Sequence, residues 1–163
     1  MGYSIHVHPD LGLAVVTLVG RLDGVDLLRA MRALAFDPAW VPGDRVLWDA
    51  RGLRAVELGA ADLPAYTAVT RELAHRMGPG RSAVLQLDEE HGPGLRLLRL
   101  RQKGHPGRDL RAFVTEHEAA VWLDVPEAAL MTPAWGHDSR TDALPEPSAW
   151  AEGSGDGAPA RFC

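Results

Sequence analysis

The chain is poor in cysteine, in lysine and in aromatic residues. Cys163 is the single cysteine among 163 residues, which excludes a disulfide-stapled scaffold. It stands at the very end rather than four residues before it, so it forms no prenylation box. Lys103 is the only lysine beside sixteen arginines, so nearly all the positive charge is of a kind that does not titrate. No apolar run approaches the ~20 residues needed to cross a bilayer. The opening stretch MGYSIHVHPD lacks the basic segment and apolar core of a secretory signal. These absences lead us to expect a cytoplasmic protein without a transmembrane segment. No glycine-rich loop leads into Gly-Lys-Ser/Thr, and no G-x-S-x-G elbow occurs; Gly78-Pro79-Gly80 and Gly92-Pro93-Gly94 read as turns. Neither a cofactor nor a metal is expected.

What is present is ordinary for a globular chain, with 46% apolar and 24% charged residues. The length fits one domain, or one domain with a tail. The net charge of −5 is unevenly spread. Residues 1–124 hold 16 acids and 15 bases; residues 125–163 hold six acids and two bases, with five prolines and four glycines. A segment of that composition offers little to offset its ordering entropy. We therefore expect an α/β domain over 1–124 and a Pro/Gly/Ala-rich acidic tail over 125–163, largely disordered. The start of the tail, VPEAALMTPAW, is apolar enough to pack back on the domain.

Hydrophobic periodicity places the elements. Tyr3–His8 alternates as a half-buried strand, and Asp10-Leu11-Gly12 is a turn. Leu13–Val19 is a strand buried on both faces, ended by Gly20. Asp23 or Asp26 caps a helix with Leu27, Leu28, Met31, Leu34 and Ala35 inward. Arg45–Asp49 is a short strand, Ala61–Met77 a helix with Tyr66, Val69, Leu73 and Met77 on one face, and Arg81–Asp88 a strand. A short helix over Gly94–Gly104, a strand over Leu110–Thr115 and a helix over Glu116–Leu123 complete the domain. After the opening hairpin, strands alternate with helices. That implies crossover connections and a small, mixed, mainly parallel sheet of about five strands with four flanking helices.

Gly20 through Asp26, Leu47 to Leu53 around Asp49, His91 to Arg96, and the ending Glu118-Ala119-Ala120-Val121-Trp122-Leu123 occur in an order that resembles the STAS superfamily, the sulfate transporter and anti-sigma-factor antagonist domains. The likeness covers about residues 3–124 and is nearest to the bacterial single-domain SpoIIAA-like group. It implies a small mixed sheet flanked by helices and a binding role rather than a reaction. In the antagonists of that family a serine or threonine opens the helix after the strand expected to end at Asp49. Its phosphorylation blocks the partner surface by charge and bulk. Here that stretch reads Glu57-Leu58-Gly59-Ala60-Ala61, and no hydroxyl occurs from Ala50 up to Tyr66. Thr67 and Thr70 fall inside the helix. The phosphoswitch is therefore absent.

Several residues could carry chemistry. Asp49 and Asp88 end expected strands, where ligands of open α/β sheets usually bind. With Glu89, Glu90 and His91 they form a carboxylate–histidine set able to do acid–base work, should burial move one pKa towards neutrality. The same residues fit a plainer role, Asp49 bonding loop amides and Asp88 capping a turn. Arg96, Arg99, Arg101, Lys103, Arg108 and Arg111 face a single acid, Asp109, within residues 96–111. That patch suits an anionic ligand, an acidic partner or an anionic membrane surface, or is a solvated helix face. Nucleic acid is not expected of a chain with pI ≈ 5.8. His6 and His8 share a strand face without a third metal ligand nearby. Trp40, Trp48 and Trp122 suit the core better than a ligand cage. No catalytic residue is assigned. The leading expectation is a non-enzymatic module binding a protein partner or a small apolar or anionic ligand. An enzyme using strand-end carboxylates and a lipid-binding patch are the alternatives. A homodimer through the edge strand Tyr3–His8 or Leu110–Thr115 is a further expectation.

Overall fold

The computed structural model of the chain describes residues 2–87 and 107–131. The first strand, β1 (Gly2–His8), turns through Pro9–Leu11 and pairs antiparallel with β2 (Leu13–Asp23). Helix α1 (Gly24–Ala35) leads to β3 (Arg45–Glu57), and α2 (Leu63–Met77) to β4 (Gly80–Leu85). Strand β5 (Arg108–Phe113) is followed by α3 (Glu116–Leu123) and a tight turn over Glu127–Leu130. The sheet order is β1-β2-β3-β4-β5, with every pair after the first parallel. The chain thus has the mixed α/β architecture expected of it. Three α-helices lie among the described residues; the expected helix over Gly94–Gly104 lies outside them.

The helices form where their caps and apolar stripes direct. Asp23 accepts from the Asp26 N–H at 2.8 Å, and α1 turns Leu27, Ala30, Met31, Leu34 and Ala35 inward. Helix α2 buries Tyr66, Val69, Leu73 and Met77, with Pro64 in its first turn. It begins two residues later than expected, after a turn in which Asp62 accepts from the Gly59 N–H at 2.7 Å. Thr115 caps α3 by accepting from the Glu118 N–H at 3.3 Å.

Strand alternation divides the core. Ala14, Val16, Leu18, Val46, Trp48 and Val84 pack under α1 and α2, joined by Trp40 from the loop. Leu13, Val15, Leu47, Ala83 and Leu85 pack under α3. Each fully buried leucine contributes about 1.5–3 kcal/mol. Packing continues past Asp124: Leu130 is fully buried and Val125 and Ala129 lie against the same layer. Most of the acidic tail, residues 132–163, lies outside the described residues.

Strand β4 ends at Leu85 where Asp88 was expected, and β5 is Arg108–Phe113 where Leu110–Thr115 was expected, but the largest differences are in β2 and β3. Gly20 does not end β2, and Asp49 does not end β3. The two strands run on together, Val19 to Asp23 beside Gly52 to Glu57, with two register shifts that put two extra residues on β3. Each extra residue reverses which face the next side chain takes. That is why Ala50, Leu53 and Val56, spaced by three, all reach the same core. Gly52 sits at the first shift, where a Cβ would lie 2.8 Å from the Leu18 carbonyl oxygen.

Candidate functional site

At the carboxyl edge of the sheet the structure gathers Asp49, Arg51 and Glu116. Asp49 occupies the last rung at which β3 pairs on both sides, with Thr17 and Leu85. It is buried, with its side chain bonded to Arg51. Its Oδ1 accepts from the Arg51 backbone N–H at 3.1 Å and from Nε at 2.9 Å, and its Oδ2 from a terminal nitrogen at 2.8 Å. The other terminal nitrogen of Arg51 donates to Glu116 at the start of α3. One guanidinium therefore bridges two carboxylates and ties β3 to α3. The Asp49 hydrogen bonds, working against desolvation and aided by Glu116, raise the Arg51 pKa further. The Glu116 carboxyl is held below its ordinary value, first by its own backbone N–H and then by Arg51. Both Asp49 oxygens are occupied by the guanidinium. Asp88, Glu90 and His91, expected beside it, lie outside the described residues. Arg51 was not among the expected site residues. The signal for it was the Asp-x-Arg spacing at the end of the apolar run of β3.

A depressed carboxyl pKa stabilises the fold above the unfolded value of 4.5, and that contribution fades as pH falls through the folded value. In urea titrations Glu116→Gln is expected to be less stable than the wild type at neutral pH, with the gap closing well below pH 4.5. An equal gap at both pH values would show that the Arg51 bridge has no such linkage.

The amino edge holds the two described members of the basic patch, and both serve the fold. Arg108 is buried rather than exposed. Its Nε donates to Ser82 Oγ at 3.0 Å. One terminal nitrogen donates to the Met77 and Gly78 carbonyls at 2.6 and 3.0 Å, the other to the Arg81 carbonyl at 3.1 Å and to that of Asp44. All five guanidinium hydrogens are used, leaving none for an anion. The reason lies in the topology. Parallel strands begin at one edge, and the loops entering them present carbonyls there that no ladder satisfies.

Arg111 is exposed, with its guanidinium carbon 3.7 Å from the Trp122 ring centre and Nε 3.9 Å from Asp109. Arg81 lies over the same ring at 4.9 Å and donates to the Trp122 carbonyl at 2.9 Å. Arg45 reaches Asp124 at 3.4 Å. These arginines fasten the carboxyl end of α3, where cations are favoured. Arg96, Arg99, Arg101 and Lys103 lie outside the described residues.

A third feature is an apolar notch of about 70 Å³ between the first turns of α1 and α2, lined by Val25, Leu28, Leu58, Ala65 and Tyr66 among others. Val25 at its rim is 58% exposed. The threonine hydroxyls nearest the start of α2 are turned back onto the helix. Thr67 donates to the Leu63 carbonyl at 2.8 Å and Thr70 to that of Thr67 at 3.0 Å.

The His6 and His8 rings meet edge to face at 4.3 Å on β1, and burial first, then His6, lowers the His8 pKa. Among the described residues no group of three or more His, Cys, Asp or Glu side chains is placed to hold a metal ion. Trp48 and Trp40 are core residues, as expected, and Trp122 is at the core edge. Among the described residues no helix is long and apolar enough to cross a membrane.

Comparison with known proteins found no matching family and no matching curated protein. Solved structures similar to this chain include an uncharacterised DUF3478-family protein with a SpoIIAA-like fold from Shewanella loihica PV-4. It is 18% identical over 75% of this chain and 92% of its own, with a TM-score of 0.49. The anti-sigma factor antagonist SpoIIAA in its unphosphorylated form is 19% identical over 74% of this chain and 96% of its own, with a TM-score of 0.42. The Bacillus cell fate determinant SpoIIAA in its phosphorylated form is 15% identical over 74% and 97%, with a TM-score of 0.38.

Proposed function

We propose that this chain is a non-enzymatic, STAS-like binding module that engages a protein partner where α1 meets the start of α2. The apolar notch there carries the reading. Its volume of about 70 Å³ suits one aliphatic side chain, and the exposed Val25 widens the apolar rim. Anchoring by a side chain in a pocket is how a few interface residues come to dominate affinity. The sequence resemblance over residues 3–124 supports binding over catalysis. So does the Arg51 bridge, which occupies the carboxylate that an acid–base reading would use. Docking here is unswitched: the segment from Ala50 up to Tyr66 has no hydroxyl to phosphorylate.

The test is retention on immobilised full-length chain, wild type beside Val25→Glu, from extracts of cells that express it. The wild type is expected to hold one protein at equal stoichiometry. The variant, which sets a charge at the notch rim, is expected to hold it about tenfold or more weakly, a loss of about 1.4 kcal/mol or more. Equal retention by both would place any docking elsewhere.

A further inference from the structure

The two edges of the sheet are built differently. Strand β5 carries Arg108, Asp109 and Arg111 in six residues. Strand β1, GYSIHVH, has no lysine, arginine, aspartate, glutamate or proline. Its ladder with β2 runs through seven consecutive pairs without a register shift. Edge strands are ordinarily guarded by charge, proline or a bulge, because their outward N–H and C=O groups otherwise template another strand. β1 carries none of these guards. Its side chains alternate. Tyr3, Ile5 and Val7 lie on one side, with Ile5 and Val7 against the core beneath α1. Ser4, His6 and His8 lie on the other.

We propose that β1 pairs antiparallel with β1 of a second copy about a twofold axis through Ile5, joining the two sheets into one. A closed twofold assembly requires identical strands to run antiparallel. Of the self-pairings of Gly2–His8, the one centred on its middle residue pairs all seven positions. It sets Ile5 opposite Ile5, Tyr3 opposite Val7 twice, Ser4 opposite His6 and Gly2 opposite His8. The first three are the aromatic and β-branched pairs that favour cross-strand contact. The core-facing side of each copy continues into that of the other. A slip of one residue opposes Tyr3 to a histidine and sets the apolar side of one copy against the histidine side of the other. The strand also lacks permanent charge, so self-pairing meets no fixed like-charge repulsion across the axis. This self-complementarity singles out a second copy as the occupant.

The experiment is sedimentation equilibrium on the full chain at neutral pH. The wild type is expected to reach twice the monomer mass. Tyr3→Lys, a charge on the apolar side of the edge, is expected to raise the dimer dissociation constant about tenfold or more. Cross-linking in a Cys163→Ser background reads the register independently of that variant's folding. Ile5→Cys is expected to form a disulfide-linked dimer on mild oxidation, since position 5 faces itself. Tyr3→Cys is not, because the two copies of position 3 stand about 13 Å apart along the strands. A wild type that stays monomeric overturns the proposal, as does a dimer indifferent to Tyr3→Lys or one linked through position 3 and not 5.

Discussion

Arg108→Met is expected to lower the stability of the fold by about 3–5 kcal/mol, because five neutral acceptors lose hydrogen bonds to a charged donor, each worth about 1.5–3 kcal/mol and not additive. Methionine fills much of the space but donates nothing. The carbonyls of Met77, Gly78, Arg81 and Asp44 and the Ser82 hydroxyl would all lose their guanidinium donor. Buried groups left unsatisfied cost about 1–3 kcal/mol each, though not additively. Against a usual total of about 5–15 kcal/mol, the variant keeps only part of its stability. Arg108→Lys is expected to fall between, keeping the charge but offering three donors in place of a planar fork. Urea unfolding followed by the fluorescence of buried Trp40 and Trp48 measures both. A loss under about 1 kcal/mol for Arg108→Met would mean that water replaces the guanidinium at no cost.

Gly78→Ala is expected to cost about 2–5 kcal/mol, combining a positive-φ backbone open almost only to glycine with overpacking. Gly78 ends α2 at φ +63°, with its N–H on the Ala74 carbonyl at 3.0 Å. A Cβ there would lie 2.6 Å from the Gly43 nitrogen and 2.9 Å from the Pro42 carbonyl carbon. Both are backbone atoms that cannot swing aside as a side chain can. The Gly43 N–H donates to the Met77 carbonyl at 3.0 Å, so moving either loop breaks a bond as well. Thermal melts of Gly78→Ala beside Gly59→Ala check this, since Gly59 has extended backbone and no atom within 3.4 Å of the position a Cβ would take. Equal melting temperatures would refute the clash.

Much of the fold was legible because local signals agreed with tertiary need. Glu116–Leu123 is the helix expected, and Asp23, one of the two caps considered for α1, is the one that caps it. Each of the five described strands overlaps a run expected to form one. The second half of β3 was not legible, because bulges space its inward residues by three, which matches neither strand alternation nor a continuous apolar run. The site was less legible than the fold. Arg108 reads as one base in a basic run, and nothing local says that the strands begin around it. Asp49 stood out at an expected strand end and was grouped with Asp88, Glu89, Glu90 and His91, but the carboxylate it shares Arg51 with, Glu116, is contributed by a helix far along the chain.

The ribbon in which β2 and β3 run on past the rest of the sheet has a consequence for recognition. Its two strands end in Asp23, the cap of α1, and in Glu57, one residue before Leu58 in the notch wall. Both walls of the notch are thus rooted in one hydrogen-bonded ladder. Under the proposed docking, a partner would meet walls held by that ladder, with little chain to order. Association would then proceed without a slow conformational step, so variants of the rim would differ mainly in residence time.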